Sequence, residues 1–179
     1  PTASRVLNRI PVTCAQSQAD SAIDGGKWSQ GATMPTARGE MGIVELDGLI
    51  YVPGGLLPDW EISTAFEVYD PAKDSWKSLP PLPVPLHHMG LAAANGKIFV
   101  SGGSQYSTVG IFDPNVNSIW AYDPHANSWE TLTTMPGHRS AHTMAAIDGK
   151  LHIVGGNALA TEDPAALWVY DLAANTWDT

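Results

Sequence analysis

Three short runs of this chain gather side chains able to do chemistry: Arg38-Gly39-Glu40, Leu86-His87-His88 and His138-Arg139-Ser140-Ala141-His142. Imidazole with carboxylate can bind zinc, copper or iron, or move protons near neutral pH. Glu40, His87, His88 and His142 are the candidates for that work. Arg38 and Arg139 are candidate ligand contacts, although a salt bridge or backbone clamp inside the fold is the favoured use for both. A second group is aromatic. Trp60, Tyr106 and Phe112 stand near Asp59, Glu61 and Asp113, and exposed rings beside carboxylates can hold a sugar ring or a peptide. No H-E-x-x-H helix spacing is present to set ligand geometry, so no metal, cofactor or catalytic residue is assigned.

Whether those runs meet depends on what carries them, and the carrier is a repeat. Met34-Pro35, Leu82-Pro83 and Met135-Pro136 are spaced 48 and then 53 residues. The pairs Gly54-Gly55, Gly102-Gly103 and Gly155-Gly156 keep that spacing, as do Asp47-Gly48, Asn95-Gly96 and Asp148-Gly149. Tyr69, Tyr122 and Tyr170, like Trp76, Trp129 and Trp177, run 53 and then 48, because the second repeat holds five more residues between glycine pair and tyrosine. Trp28 precedes Trp76 by 48. Asn/Asp-Gly pairs predict two-residue hairpin turns, so the first repeat reads as strands a to d at 41–46, 49–53, 65–69 and 75–79. Residues 89–129 and 142–177 repeat the order.

On these markers the chain resembles the kelch-repeat family over residues 28–179, whose period is about 50 residues. The resemblance implies an all-β fold: a kelch-type β-propeller segment of three four-stranded antiparallel blades, an incomplete ring. Residues 1–27 form a non-repeat segment and 28–33 a lone strand d. The repeats occupy 34–81, 82–134 and 135–179, the last truncated. Propellers close with about 4 to 8 blades. The expectation is therefore a piece of a larger ring, or an arc that pairs with a second copy into a six-blade ring.

Strand order then places the chemistry. In an up-down meander the d-to-a and b-to-c loops lie at one end of each blade. The resemblance puts strand a innermost, so Glu40, His87, His88 and His142 surround a channel mouth, with the aromatic loops on the same rim. Loops packing over the blade ends are the other use for Trp60, Tyr106 and Phe112. The repeated Tyr and Trp are expected between blades, and the paired glycines where the backbone passes close to the next blade.

Bulk composition narrows the partners. The 179 residues carry 18 Asp+Glu against 9 Lys+Arg, a net charge of -9, which disfavours nucleic acid and anionic membranes. No apolar run reaches the roughly 18 to 20 residues of a membrane helix. A lone Cys14 excludes an internal disulfide framework or a Cys-rich zinc site and leaves the compartment open. The favoured reading is a noncatalytic binding scaffold that presents its loop rim and channel mouth to a protein or carbohydrate. The alternative is a fragment of a kelch-propeller enzyme acting on a sugar. Resemblance to galactose oxidase would require a cysteine crosslinked to a tyrosine, and Cys14 lies outside the repeats. An epimerase-like site would need only acid-base groups, with Glu40, His88 and His142 as candidates.

Overall fold

The computed structural model describes residues 26–105, 116–158 and 163–178. The chain divides into two compact units, Pro1–Gln30 and Gly31–Thr179. Of the first, residues 26–30 are described, exposed and without strand pairing.

The second unit holds twelve strands among its described residues. The first sheet contains β1 (Val44–Leu46), β2 (Leu49–Pro53), β3 (Phe66–Asp70) and β4 (Ser75–Ser78). The second has β5 (Gly90–Ala94), β6 (Lys97–Ser101), β7 (Ser118–Asp123) and β8 (Ser128–Thr134). The third has β9 (Thr143–Ile147), β10 (Lys150–Val154), β11 (Leu167–Asp171) and β12 (Thr176–Asp178). Each sheet pairs its strands in sequence order, antiparallel throughout, so the three expected blades are present. Their hairpins turn where Asx-Gly pairs supply two positive φ angles, for instance 52° at Asp47 and 77° at Gly48. The innermost strands β1, β5 and β9 neighbour one another in turn.

Two boundaries depart from expectation. Strand a of the first blade starts at Val44, not at 41, whereas β5 and β9 begin with the pairs Gly90↔Ser101 and Thr143↔Val154. The equivalent position is Pro53, which has no N–H to give the ladder. Residues 28–33 form no strand, since an isolated strand has no ladder to join. Ala32 is tied down differently: its N–H donates to Asp74 Oδ1 at 2.6 Å, and Trp76 Nε1 donates to its carbonyl at 2.8 Å. Trp129 Nε1 makes the corresponding bond to Pro80 O at 3.0 Å.

The core lies between blades. Tyr51, Phe66 and Val68 of the first meet Ile98 and Tyr122 of the second. Phe99, Ile119 and Ala121 of the second meet Met144, Leu151, Ile153, Trp168 and Tyr170 of the third. Because side chains alternate across a strand, each blade has one face toward its predecessor and one toward its successor. The outer faces are open: Ile43 is 66% exposed where its equivalent Met144 is 6%, and Leu167 is 50% exposed where Phe66 and Ile119 are 1% and 0%.

Backbone bonds between blades explain the glycine pairs. Gly55 N–H donates to Leu86 O and Gly103 N–H to Arg139 O, both at 2.8 Å. A Cβ on Gly54 would collide with Leu86 O, and one on Gly102 with Arg139 O. Gly155 has the same positive φ, 67°, but no described residue within 4 Å of such a Cβ, because it faces the open side of the third blade.

Candidate functional site

The d-to-a and b-to-c loops share one rim, joined within each blade by a short antiparallel bridge: Gly39↔Leu56, His87↔Ser104 and Ser140↔Asn157. The next residue, Glu40, His88 or Ala141, takes a left-handed φ of 53°, 56° or 53°. Such angles cost a non-glycine residue energy unless the surroundings hold them. Here a second chain of bonds does so, with His88 N–H donating to Glu40 O at 3.1 Å and Ala141 N–H to His88 O at 2.7 Å. The blades are thus laced together at the mouth by main chain, and the side chains at this position are turned out for use.

Three of the expected rim residues converge. His88 Nε2 stands 2.9 Å from Glu40 Oε2, with the two side chains 35% and 54% exposed. His87 Nδ1 lies 2.5 Å from His88 Nδ1, so one ring nitrogen donates and the other accepts. The result is a carboxylate–imidazole–imidazole row crossing from the first blade to the second. Among the described residues, no three His, Cys, Asp or Glu side chains are placed to hold a metal ion.

His142 does not join that row. It is 6% exposed and points into the seam between the second and third blades, where Nε2 meets Ser101 Oγ at 2.7 Å. Burial, followed by the nearby Arg139 charge, pushes its pKa down from 6.5 to about 4, so the ring is neutral at pH 7. A hydroxyl 2.7 Å from an imidazole has the separation of a nucleophile and its base. Ser101, however, is 0% exposed and no substrate can reach it. The pair is a bond between blades.

Both arginines are buried and bonded inside the protein. Arg38 donates from Nε to Gly54 O at 2.6 Å, from Nη2 to Val52 O at 2.7 Å and from Nη1 to Thr36 O at 2.8 Å. Its Nη1 also meets Glu67 Oε2 at 2.5 Å in a buried ion pair, and Thr36 Oγ1 donates to Glu67 Oε1 at 2.8 Å. Arg139 donates to the carbonyls of His138 and Asp163 and lies 4.0 Å over the Trp168 ring. The repeat aligns Glu67 with Trp120 and Trp168, and Arg38 with Leu86 and Arg139. One spatial slot is therefore filled by Arg–Glu, Leu–Trp or Arg–Trp in successive blades. Glu67 and Ser101 were missed from sequence, although a charged residue at a strand position where both other repeats place tryptophan is a readable signal for the first.

Trp60 lies beside the Glu40 end of the row. Leu56, Leu57, Pro58, Trp60, Ala37 and Glu40 line a cavity of about 300 Å³. The loop closes on its own backbone, Leu57 N–H to Glu61 O and Trp60 N–H to Leu57 O, both 2.9 Å. Trp60 adopts φ 69° and is 61% exposed. Tyr106 and Phe112, expected on the same rim, lie outside the described residues.

The comparisons agree with this architecture. The family description "KLHDC2/KLHL20/DRC7 Kelch-repeats domain" matches residues 40–179. Beta-scruin of Limulus polyphemus is 33% identical over 144 residues, covering 77% of this chain and 15% of that protein. Kelch-like protein 40 of Xenopus laevis is 32% identical over 132 residues, covering 74% and 20%. The chain therefore spans far less than half the length of these curated relatives. The solved structure of YjhT superposes with a TM-score of 0.70 at 18% identity, over 85% of this chain and 54% of that one, a likeness of fold. A repeat with these glycine pairs, interblade aromatics and four-stranded meanders, matched across 40–179, means that the chain belongs to the kelch-repeat family.

Proposed function

We propose that this chain is a noncatalytic binding scaffold whose loop rim holds a protein partner. The observation that carries the reading is the contrast between the rim's two kinds of side chain. Arg38, Arg139 and His142 are buried and committed to structure. Trp60 is exposed at the edge of an apolar cavity, with Glu40 on its wall. Rigid blades below and a solvent-facing indole above make a presentation surface, and tryptophan is among the residues that dominate protein interfaces. The enzyme reading loses its third acid-base candidate, since His142 sits in a blade seam and not beside Glu40 and His88. A carbohydrate partner remains the alternative occupant of the same rim.

The test is selection of a displayed random-peptide library against the chain, followed by fluorescence anisotropy on the selected peptides. The reading expects micromolar binders weakened at least tenfold by Trp60→Ala and unaffected by Lys150→Ala, at the far end of the third blade. Peptides indifferent to Trp60, or a library that yields none while oligosaccharides shift rim resonances, would overturn it.

A further inference from the structure

We propose that the cavity of the first blade accepts a protein segment in which arginine or lysine flanks an aliphatic side chain, an inference that names a partner class and rests on the binding-scaffold reading above. The cavity's volume of about 300 Å³ lies at the small end of ligand pockets, about 300 to 1,000 Å³, and suits one or two anchoring side chains of a peptide. Its walls divide in character. Leu56, Leu57, Pro58 and the Trp60 ring are apolar, which fits an aliphatic anchor. Glu40 closes one side, and Asp59 and Glu61, both exposed, flank Trp60 in sequence.

The charges here are unbalanced. Arg38 also lines the cavity, but its guanidinium is already ion-paired with Glu67 inside the blade, so it offers no counter-charge to the edge. His88 touches Glu40 from the second blade and shares its carboxylate without removing the carboxylates at 59 and 61. A basic side chain can lay its methylene stem along the indole, gain the attraction of a cation over a tryptophan face, and place its charged end among the acids. The whole molecule favours such a partner as well, since a net charge of -9 accelerates encounter with cations. An acidic segment would meet the same edge with like charge. Every residue that lines the cavity belongs to the first blade.

The experiment uses two fluorescein-labelled octapeptides, SGRLRLGS and its counterpart with glutamate for arginine, titrated with the intact chain at low and moderate salt. The proposal expects the arginine peptide to bind at least tenfold tighter than the glutamate peptide. It also expects Trp60→Ala and Glu40→Gln each to weaken that binding at least fivefold, and affinity to fall as salt rises. Glu40 is half-exposed, so its glutamine variant keeps the fold, and Trp60→Ala tests the same cavity independently. Arginine-peptide binding that survives both substitutions would be diffuse attraction to an acidic surface and would overturn the proposal. Equal binding of the two peptides, or of neither, while library-selected peptides still require Trp60, would overturn the charge assignment and leave the rim reading standing. Loss of Trp60-dependence for the library-selected peptides would remove the rim reading itself.

Discussion

Replacing His142 with methionine should exchange neutral stability for acid resistance. Methionine is what the other two repeats place there, at Met41 and Met89. In the folded chain the imidazole's pKa falls from 6.5 to about 4, chiefly through burial, and each pH unit is worth about 1.4 kcal/mol. Proton uptake at His142 therefore favours the unfolded chain by about 3 kcal/mol once pH lies below both values. The sign follows from linkage: a depressed folded pKa gives stability that is intact above 6.5 and lost as pH falls toward 4. His142→Met removes that loss. It also strips Ser101 Oγ of its 2.7 Å partner, leaving Gly90 O at 3.4 Å, at a cost of about 1 kcal/mol. Urea unfolding from pH 8 to 4 should thus give curves that cross, with the natural chain more stable at pH 7.5 and the variant more stable near pH 4. Parallel pH profiles for the two proteins would refute the buried, neutral imidazole.

Further outcomes follow from the repeat. Gly102→Ala, whose Cβ meets Arg139 O, should cost at least 2 kcal/mol more in chemical denaturation than Gly155→Ala, which shares the left-handed angle but meets no described atom within 4 Å. Arg38→Leu should destabilise by about 3 to 5 kcal/mol by stranding Glu67. Adding Glu67→Trp, which recreates the Leu86–Trp120 arrangement of the second blade, should recover most of it. Ile119→Ala should cost about 2 to 5 kcal/mol, whereas Leu167→Ala, at the equivalent position on the open face, should cost under about 1 kcal/mol and reduce any concentration-dependent association seen in sedimentation.

Much of the fold was legible in the sequence because the determinants of a blade are local and repeated. Asx-Gly pairs fix hairpin turns by their own φ preferences, and glycine pairs mark where neighbouring backbones touch. Strand order puts the d-to-a and b-to-c loops on one rim, and the resemblance, by setting strand a innermost, groups Glu40, His87 and His88 there. The same rule groups His142 with them as a residue at the start of strand a, yet it lies one residue past the outward position held by Glu40, His88 and Ala141. Ala141 holds a left-handed φ of 53° just before β9, and the residue after it points into the seam, where His142 meets Ser101. The start of β1 was missed because Pro53, on the partner strand, withdraws a donor. Ser101 was not legible as the partner of His142, since a hydrogen bond across blades depends on side-chain reach that spacing does not encode.

The central claim is that the rim around Trp60 is the part of this chain that meets a partner. The chain's indole N–H signals offer the most direct test, using ¹⁵N-tryptophan labelling and titration with a library-selected peptide. The account predicts a saturable shift of the Trp60 signal while those of Trp76 and Trp129, bonded to Ala32 and Pro80 carbonyls, stay fixed. Shifts at Trp76 or Trp129 with Trp60 unmoved would contradict it, placing the partner at the blades' opposite end.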